Sequence, residues 1–600
     1  MKKYIIFGAG GVGIEALELL GKENVYCFWD NDVNKNNTYV NDIPVYNLNK
    51  KLEGQVIVAV SIKYQNEIVK QLKDFGITNY RLFSELKEEI AKKRFTSASN
   101  NIDIYNRAIN WIKLNSIEGG GIICNSSKKL SYPEVTGYYI PTLIKWGYRD
   151  LAISYAKWLV SIQKEDGSWY DTDNMDPYVF DTAQILKGLI EIRNIYPKVD
   201  ENIKKGAEYI LSNIDGEGRL NTPSKDCWPA DENICSELIH LYCLSPLIEA
   251  SKILGNEKYK EMAYKVLEYY KKNCYEKIIN FSLLSHFYAY VMEGLLDLGE
   301  KEIVGIAMAK LKKVLDEKGY VPAYNDVSWV CSTGLFQLAV VWYKMGDLAS
   351  GDKAFEYACR LQNETGGWFG SYLVGGSSGE DNTYFPVSEI SWANKYFLDA
   401  LYYKNLSHFD SISSHFLSEI SEYDERYLIL EKLLKNKIEN SNQKLRILDL
   451  GCGKGRYTKR LKAKFPNNEF YVADISSKVM EFIEDDNIVK SVGSLTNTSF
   501  DDGYFDFVFT SEAIEHAVDI DTSIKELRRI LKVGGQVVII DKNKKSSKKV
   551  VIDNWEQWLD EEETIEKLKK RFNEIKTYKD VLYEGNIRDD LFIIFTGIAK

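Results

Sequence analysis

Six hundred residues are more than one hydrophobic core organises, so the chain is expected to divide into several domains. A net charge of -10, from 77 basic and 87 acidic side chains, comes with no basic stripe interleaved with aromatics and argues against nucleic acid as the main partner. Nine cysteines without a CxxC pair read as reduced core thiols, no apolar run is long enough to span a bilayer, and the compartment reads as cytoplasmic.

The chain begins with a strand, Tyr4-Ile5-Ile6-Phe7, that runs into Gly8-Ala9-Gly10-Gly11-Val12-Gly13 and a helix over 14–20. Glu15 and Glu18 interrupt the apolar stretch that Lys2 and Lys3 introduce, so it does not read as a signal peptide. Gly8, Gly10 and Gly13 make the GxGxxG spacing; a second strand over 25–29 ends at Asp30-Asn31-Asp32, and a third over 56–60 precedes a helix over 65–75. This βαβ module occupies residues 1–90. Its glycine turn and its Phe28-Trp29-Asp30-Asn31-Asp32 strand end resemble the small N-terminal Rossmann-type domains of bacterial surface-sugar enzymes, nucleotide-sugar acyltransferases among them. The resemblance implies a nucleotide or nucleotide sugar at Gly8, Gly10, Gly13 and Asp30. A docking domain with an empty turn is the other reading; a dehydrogenase fits less well, because no catalytic half follows.

From 100 to 405 the strand signals give way to helices. Apolar, aromatic-rich inner helices are predicted near Glu134, Tyr178, Glu232, Ser282, Asp326 and Tyr384, alternating with charged outer helices at a spacing of about fifty residues. Six such pairs predict an all-α, closed (α/α)6 toroid. Two loops, Gln163 to Trp169 and Gln362 to Trp368, share the spacing QxxxGxW and resemble the QW repeats of terpene cyclases; there Gln satisfies a helix terminus while Trp packs on the next turn. The aspartate-rich signature of a cyclase is missing. Other toroids that this one resembles belong to glycoside hydrolases, uronate-processing enzymes and epimerases, which implies a sugar across the mouth formed by the inner-helix N-termini. The chain places Glu134, Tyr138, Tyr178, Phe180, Asp181, Asp231, Glu232, His286, Asp326, Trp329, Glu389 and Trp392 there, with Asp181, Asp326 and Glu389 as candidate acids and bases. Helix capping is the competing role for each of these acids.

The last region, 420–600, holds the most specific pattern. Arg446-Ile447-Leu448-Asp449-Leu450 is an apolar strand ending in Gly451-Cys452-Gly453-Lys454-Gly455, and Asp474 closes the next strand at Tyr471-Val472-Ala473. Glycines let backbone approach a ligand, and the aspartate fits a carboxylate accepting from ribose hydroxyls. Further strands are predicted over 504–509, 536–540 and 590–599, and Val533-Gly534-Gly535 as a turn. The order resembles the class I S-adenosylmethionine-dependent methyltransferases, an α/β fold with a seven-stranded sheet. That resemblance implies S-adenosylmethionine at Asp449, Gly451, Gly453, Gly455, Asp474 and Ser494, although Val492-Gly493-Ser494 lacks the acid that many relatives carry near the adenine. His516 and Glu512, after the fourth strand, are the candidate bases, with Trp555 and Trp558 on the acceptor side; the basic run 542–549 reads as a solvated loop. No metal is called for. The combined expectation is O-methylation of a sugar, nucleotide sugar or polysaccharide in bacterial glycan synthesis. The toroid is then a hydrolase, lyase or epimerase, or it and the N-terminal domain are non-catalytic binding modules.

Overall fold

The structure, a computed structural model, describes residues 4–48, 54–87, 89, 101–221, 236–379, 383–549, 556–582 and 591–600. They fall into two compact units: Tyr402–Lys600 with Thr142–Leu151 form one, and the N-terminal residues with Asp103–Pro141 and Ala152–Leu401 form the other.

In the N-terminal region β1 (Tyr4–Phe7), β2 (Val25–Trp29), β3 (Tyr39–Val40), β4 (Ile43–Tyr46), β5 (Gln55–Val58) and β6 (Tyr80–Leu82) form one sheet. The order is β3-β4-β2-β1-β5-β6, parallel throughout except for the β3-β4 pair. A parallel sheet is covered on both faces, which is why the short strands read as unbroken apolar runs: Ile5, Ile6 and Ile57 are completely buried.

The helical region contains six pairs among the described residues. Outer helices Asn101–Leu114, Arg149–Ile162, Asp200–Ser212, Glu257–Ile279, Lys301–Leu311 and Leu348–Arg360 alternate with inner helices Pro133–Lys145, Val179–Ile192, Leu244–Leu254, Ser285–Asp297, Ser332–Lys344 and Ser391–Ile412. The inner members touch in a cycle. A Cβ on Gly137 would lie 2.5 Å from Ile185, and Tyr242, in the 3-10 helix Ser236–Cys243 that leads into the third inner helix, is stacked on by Phe180 and meets Tyr290. His286 bonds Gln337, Phe336 packs on Phe397, and the Tyr139 hydroxyl returns to Ser391 O at 2.7 Å. The QxxxGxW loops act structurally: Gln163 Nε2 donates to Asn202 O and Gly167 O, Gln362 Nε2 to Ile104 O and Gly366 O, each at 3.0 Å, so each glutamine ties one outer helix to the next. Trp169 and Trp368 are fully buried and bond back to Leu159 O and Ala358 O.

Three inner helices start later than the sequence suggests: the third, expected near Glu232, begins at Leu244 after the 3-10 helix over Ser236–Cys243. A short antiparallel ribbon of β7 (Trp329–Cys331) and β8 (Ser371–Leu373) takes up the residues after Asp326, so that helix begins at Ser332, and the last inner helix begins at Ser391 rather than near Tyr384. Asp231 and Glu232 lie outside the described residues.

In the second unit β9 (Arg446–Leu450), β10 (Glu469–Asp474), β11 (Ile488–Val492), β12 (Phe505–Ser511), β13 (Leu531–Lys542), β14 (Phe572–Val581) and β15 (Phe592–Ala599) form a seven-stranded sheet. The order is β11-β10-β9-β12-β13-β15-β14, with β15 antiparallel to both of its neighbours. The strand order reverses at β9 and β12, and ligands of open α/β sheets bind at the carboxyl ends of strands beside such a reversal. Among the described residues none of the seven cysteines is in a disulfide, and no helix is long and apolar enough to cross a membrane.

Candidate functional site

The turn after β9 is built for close approach. Gly451, Gly453 and Gly455 have φ of +76°, +52° and +68°, a region that favours glycine. A Cβ would meet Ala513 Cβ at 2.5 Å from Gly451 and Ile483 at 2.8 Å from Gly455, whereas at Gly453 the nearest atom is 3.5 Å away. Gly451 and Gly455 are therefore crowded by packing, whereas a Cβ on Gly453 would only touch the Phe416 ring at the cavity wall. Asp474, at the end of β10, accepts from the Gly453 N–H at 2.9 Å and the Ser476 N–H at 3.0 Å. Burial raises its carboxyl above the ordinary value, against those backbone donors.

The turn, Asp474, Gly493 and Ser494 line one end of a cavity of about 360 Å³. Asp449 does not line it. Its carboxylate is buried behind the turn, accepts from Thr458 Oγ1 at 2.7 Å, and is pushed up to about 7 by burial, so it fixes the turn to the helix Arg456–Lys464. Strand alternation turns residue 449 away from the ligand side.

The other end of the cavity is lined by Glu512, Glu515, His516, Lys542 and Glu556, from the carboxyl ends of β12 and β13 and a following loop. Glu512 has φ of +52° and accepts from Arg426 Nη1 at 2.6 Å and from Arg456, while Arg426 also pairs with Asp424. The two guanidiniums hold the Glu512 carboxylate, the expected base, in place at the cavity wall. His516 Nε2 lies 3.4 Å from Glu515 Oε1, and burial, with Lys542 and His408 nearby, lowers the imidazole to about 3, so it is neutral at physiological pH. Lys542 Nζ is 2.9 Å from Glu515 and 3.7 Å from Glu556; it is the first residue of the run expected to be a solvated loop, and it faces the cavity instead. Burial and the neighbouring Asp541 push the Glu515 carboxyl up to about 9, and burial takes Asp541 to about 7. Glu515 and Asp541, two acids beside one lysine, thus retain extra protons near neutrality. The ligand atoms of Glu515, His516 and Glu556 lie within 4.8 Å of one another, but the Lys542 ammonium already meets their charge. Trp558 donates to Glu556 at 2.8 Å, behind the wall; Trp555 lies outside the described residues.

Glu515, Lys542 and Glu556 escaped the sequence reading because they come from separate strand ends and share no motif. The only signal was that Glu515 and Lys542 each follow a predicted apolar strand; Glu556, in the loop beyond, had none.

Residues 448–539 match the family described as methyltransferase domain. The second unit carries a methyltransferase domain of the S-adenosylmethionine-dependent kind. The chain is 31% identical over 115 residues to 2-methyl-6-phytyl-1,4-hydroquinone methyltransferase of Synechocystis sp., covering 18% of this chain and 36% of that protein. It is 26% identical over 137 residues to malonyl-(acyl-carrier protein) O-methyltransferase of Priestia megaterium, covering 21% and 49%. It spans less than half of either relative. Among solved structures, phosphoethanolamine N-methyltransferase 2 of Haemonchus contortus in complex with S-adenosyl-L-methionine aligns at 18% identity and a TM-score of 0.26, covering 34% of this chain and 59% of that one.

The sites expected in the first unit fare differently. Gly8 has φ of +112°, and a Cβ on Gly13 would sit 1.7 Å from Gly8 O, so both serve the packing of strand on helix; Gly10 faces open space. Asp30 accepts from the Ala9 N–H at 2.8 Å and pairs with Lys35 at 3.2 Å. Burial would raise it, but the Asp32 and Ala9 N–H groups and Lys35 hold it below the ordinary value. Asp181 lines a second cavity together with Glu134. Asp326 and Glu389 do not. Asp326 is exposed, because β7 displaces the helix start. Glu389 is buried and accepts from Trp111 Nε1 at 2.7 Å, Asn363 Nδ2 at 2.8 Å and the Thr365 hydroxyl, which makes it a clamp rather than an acid or base.

Proposed function

We propose that the chain transfers the methyl group of S-adenosylmethionine to an oxygen of a sugar, nucleotide sugar or polysaccharide, in the cytoplasm, during bacterial glycan synthesis. The observation that carries this reading is one cavity with two chemically different ends. At the first, the space before Gly453 and the Asp474 carboxylate fit the amino-acid and ribose parts of the cofactor, with Ser494 toward its base. Bound there, S-adenosylmethionine supplies an electrophilic methyl group. At the second end, neutral His516 accepts a hydrogen bond from the acceptor hydroxyl and so orients it for in-line attack; the proton is taken up by the Glu515 and Asp541 pair in the form that holds a single proton, with Asp541, at about 7, supplying the vacancy. Lys542 keeps that group compact.

The two relatives carry chemically unlike acceptors in their names, so the sugar rests on this chain alone. Its support is the carboxyl groups set beside aromatic rings at the inner-helix N-termini, and the open Gly10 of an N-terminal turn suited to a nucleotide or nucleotide sugar. The pair Glu134 and Asp181 facing one cavity favours, as a second reading, hydrolase, lyase or epimerase chemistry in the helical ring.

A labelled-methyl assay against sugars, nucleotide sugars and surface polysaccharides tests the main reading. Label is expected in one of those pools and is lost in Asp474→Ala. Label in no glycan pool overturns the acceptor class, and unchanged cofactor binding by Asp474→Ala overturns the site. A second, unlabelled product that disappears in Asp181→Asn while methylation persists would establish catalysis in the ring.

A further inference from the structure

Between the N-terminal ends of the inner helices lies a cavity of about 350 Å³. Its walls are aromatic: Tyr132 and Tyr384 meet Trp392 edge-on with centroids 6.2 and 6.3 Å apart, Phe385 meets it at 5.4 Å, and Phe180 meets Tyr290 at 5.1 Å. Two acids from successive inner helices face this space, Glu134 and Asp181, only 6% and 5% exposed. Glu134 is bonded to Tyr132, whereas Asp181 Oδ2 is buried without a hydrogen-bond partner. A native structure rarely leaves such an atom unsatisfied, so it marks the place of a missing donor.

We propose that this cavity binds a ligand through a cationic nitrogen, a protonated or quaternary amine, held between the Glu134 and Asp181 carboxyls and against the faces of the aromatic walls.

Charge and shape support the amine over other ligands. Four acids line the cavity, Glu134, Asp171, Asp173 and Asp181, against one lysine, Lys128, which is already paired with Asp173. An anion would be repelled. A sugar hydroxyl can donate to Asp181 but brings no counter-charge, so among sugars an amino sugar, whose ammonium group offsets the cost of desolvating an ionised carboxylate, fits the cavity better than an uncharged one. Aromatic faces attract the same cation, and the attraction strengthens away from water. His286, the remaining titratable group of basic type on the wall, is held neutral by burial and bonds Gln337 at 2.9 Å, so it competes for neither acid.

Both acids are raised above their ordinary values. Burial pushes Glu134 up to about 7, against Tyr132 and Lys395, and burial with Glu134 and Asp171 raises Asp181. From the other packed elements, Lys395 is engaged with Asp399 at 2.7 Å and lies over Tyr138 and Tyr396. The hydroxyls of Tyr132, Tyr138, Tyr290 and Tyr384 stay protonated, all pushed above their ordinary value by burial. A bound cation favours the ionised acids, so binding releases protons and strengthens as pH rises through neutrality.

The test uses the full chain and does not depend on methyl transfer. Glucosamine is compared with glucose, and choline with 3,3-dimethyl-1-butanol, by saturation-transfer NMR and calorimetry. Both amines are expected to bind at least tenfold more tightly than their uncharged partners, and Asp181→Asn to abolish the difference while its melting temperature shows it folded. Choline keeps its charge at every pH, so its affinity for the unaltered protein is expected to rise about tenfold from pH 5.5 to 8. Equal binding of the charged and uncharged partners, no binding of either amine, a full effect retained in Asp181→Asn, or a flat pH series would each overturn the proposal.

Discussion

The chain contains two glycine turns after a first strand, each with an aspartate at the end of the next, and they are not equivalent. In both, the aspartate accepts from a backbone N–H of the turn: Asp30 from Ala9, Asp474 from Gly453. At both turns the third glycine is held by packing and the middle one has no close neighbour, but at the N-terminal turn a lysine rests against the acid. At the second, the middle glycine faces a cavity and the acid has only backbone donors within hydrogen-bond reach. The shared pattern therefore encodes how strand, turn and helix fit together; the ligand site is encoded by what the turn faces.

The comparison can be broken most forcefully at the glycines. Gly13→Ala is expected to destabilise the first unit by more than ~3 kcal/mol, because the new methyl would overlap Gly8 O, whereas Gly453→Ala costs about 1 kcal/mol of backbone strain yet weakens cofactor binding. Thermal melts and calorimetry read the two effects; similar melting losses would erase the distinction. Next comes the acid. Asp474→Asn should weaken S-adenosylmethionine roughly 30-fold or more, about 2 kcal/mol, while Asp30→Asn leaves methyl transfer within about twofold. An equal loss in both would mean that the turns share a function.

A pH series sharpens the comparison next. Burial, with Glu389 nearby, pushes Glu18 up to about 9, as burial and Asp541 do for Glu515. Each binds its proton more tightly folded than unfolded, so each withdraws stability as pH climbs from its ordinary 4.5 toward 9. Glu18→Gln and Glu515→Gln should each raise the melting temperature at pH 8, by about 2–4 °C per kcal/mol regained, and change little at pH 4. His516, lowered to about 3 from 6.5, has the opposite sign and subtracts stability only as pH falls through that window. The smallest effect is expected at Thr458→Ala, about 1 kcal/mol, through the loss of the hydrogen bond that seats Asp449.

The sequence makes the strands of both sheets legible where they are buried on both faces, as at β1, β9 and β12, because continuous apolar runs flanked by glycine have few other uses. It hides β14, whose Asn573-Glu574-Ile575-Lys576-Thr577 is polar as an edge strand can afford to be. The helical pairs follow from periodicity, but acids near predicted helix starts mislead twice: Asp326 precedes an inserted ribbon, and Glu389 faces a loop of the preceding outer helix. Half of the cofactor end is visible in Gly453 and Asp474. The acceptor end is not, because Glu515, Lys542 and Glu556 become neighbours only through the register of β12 on β13 and the loop that follows.

Glu389 has a further consequence through its bond to Trp111, a contact between residues 278 positions apart. The first helix of the ring is latched to the last, and Gln362 and Ser391 reinforce the join with bonds to Ile104 O and Cys124 O. During synthesis the opening helices must therefore wait, with one flank bare, until nearly three hundred further residues have left the ribosome. The seam is then the natural last step of assembly, and the place where a truncated chain from either end would come apart first.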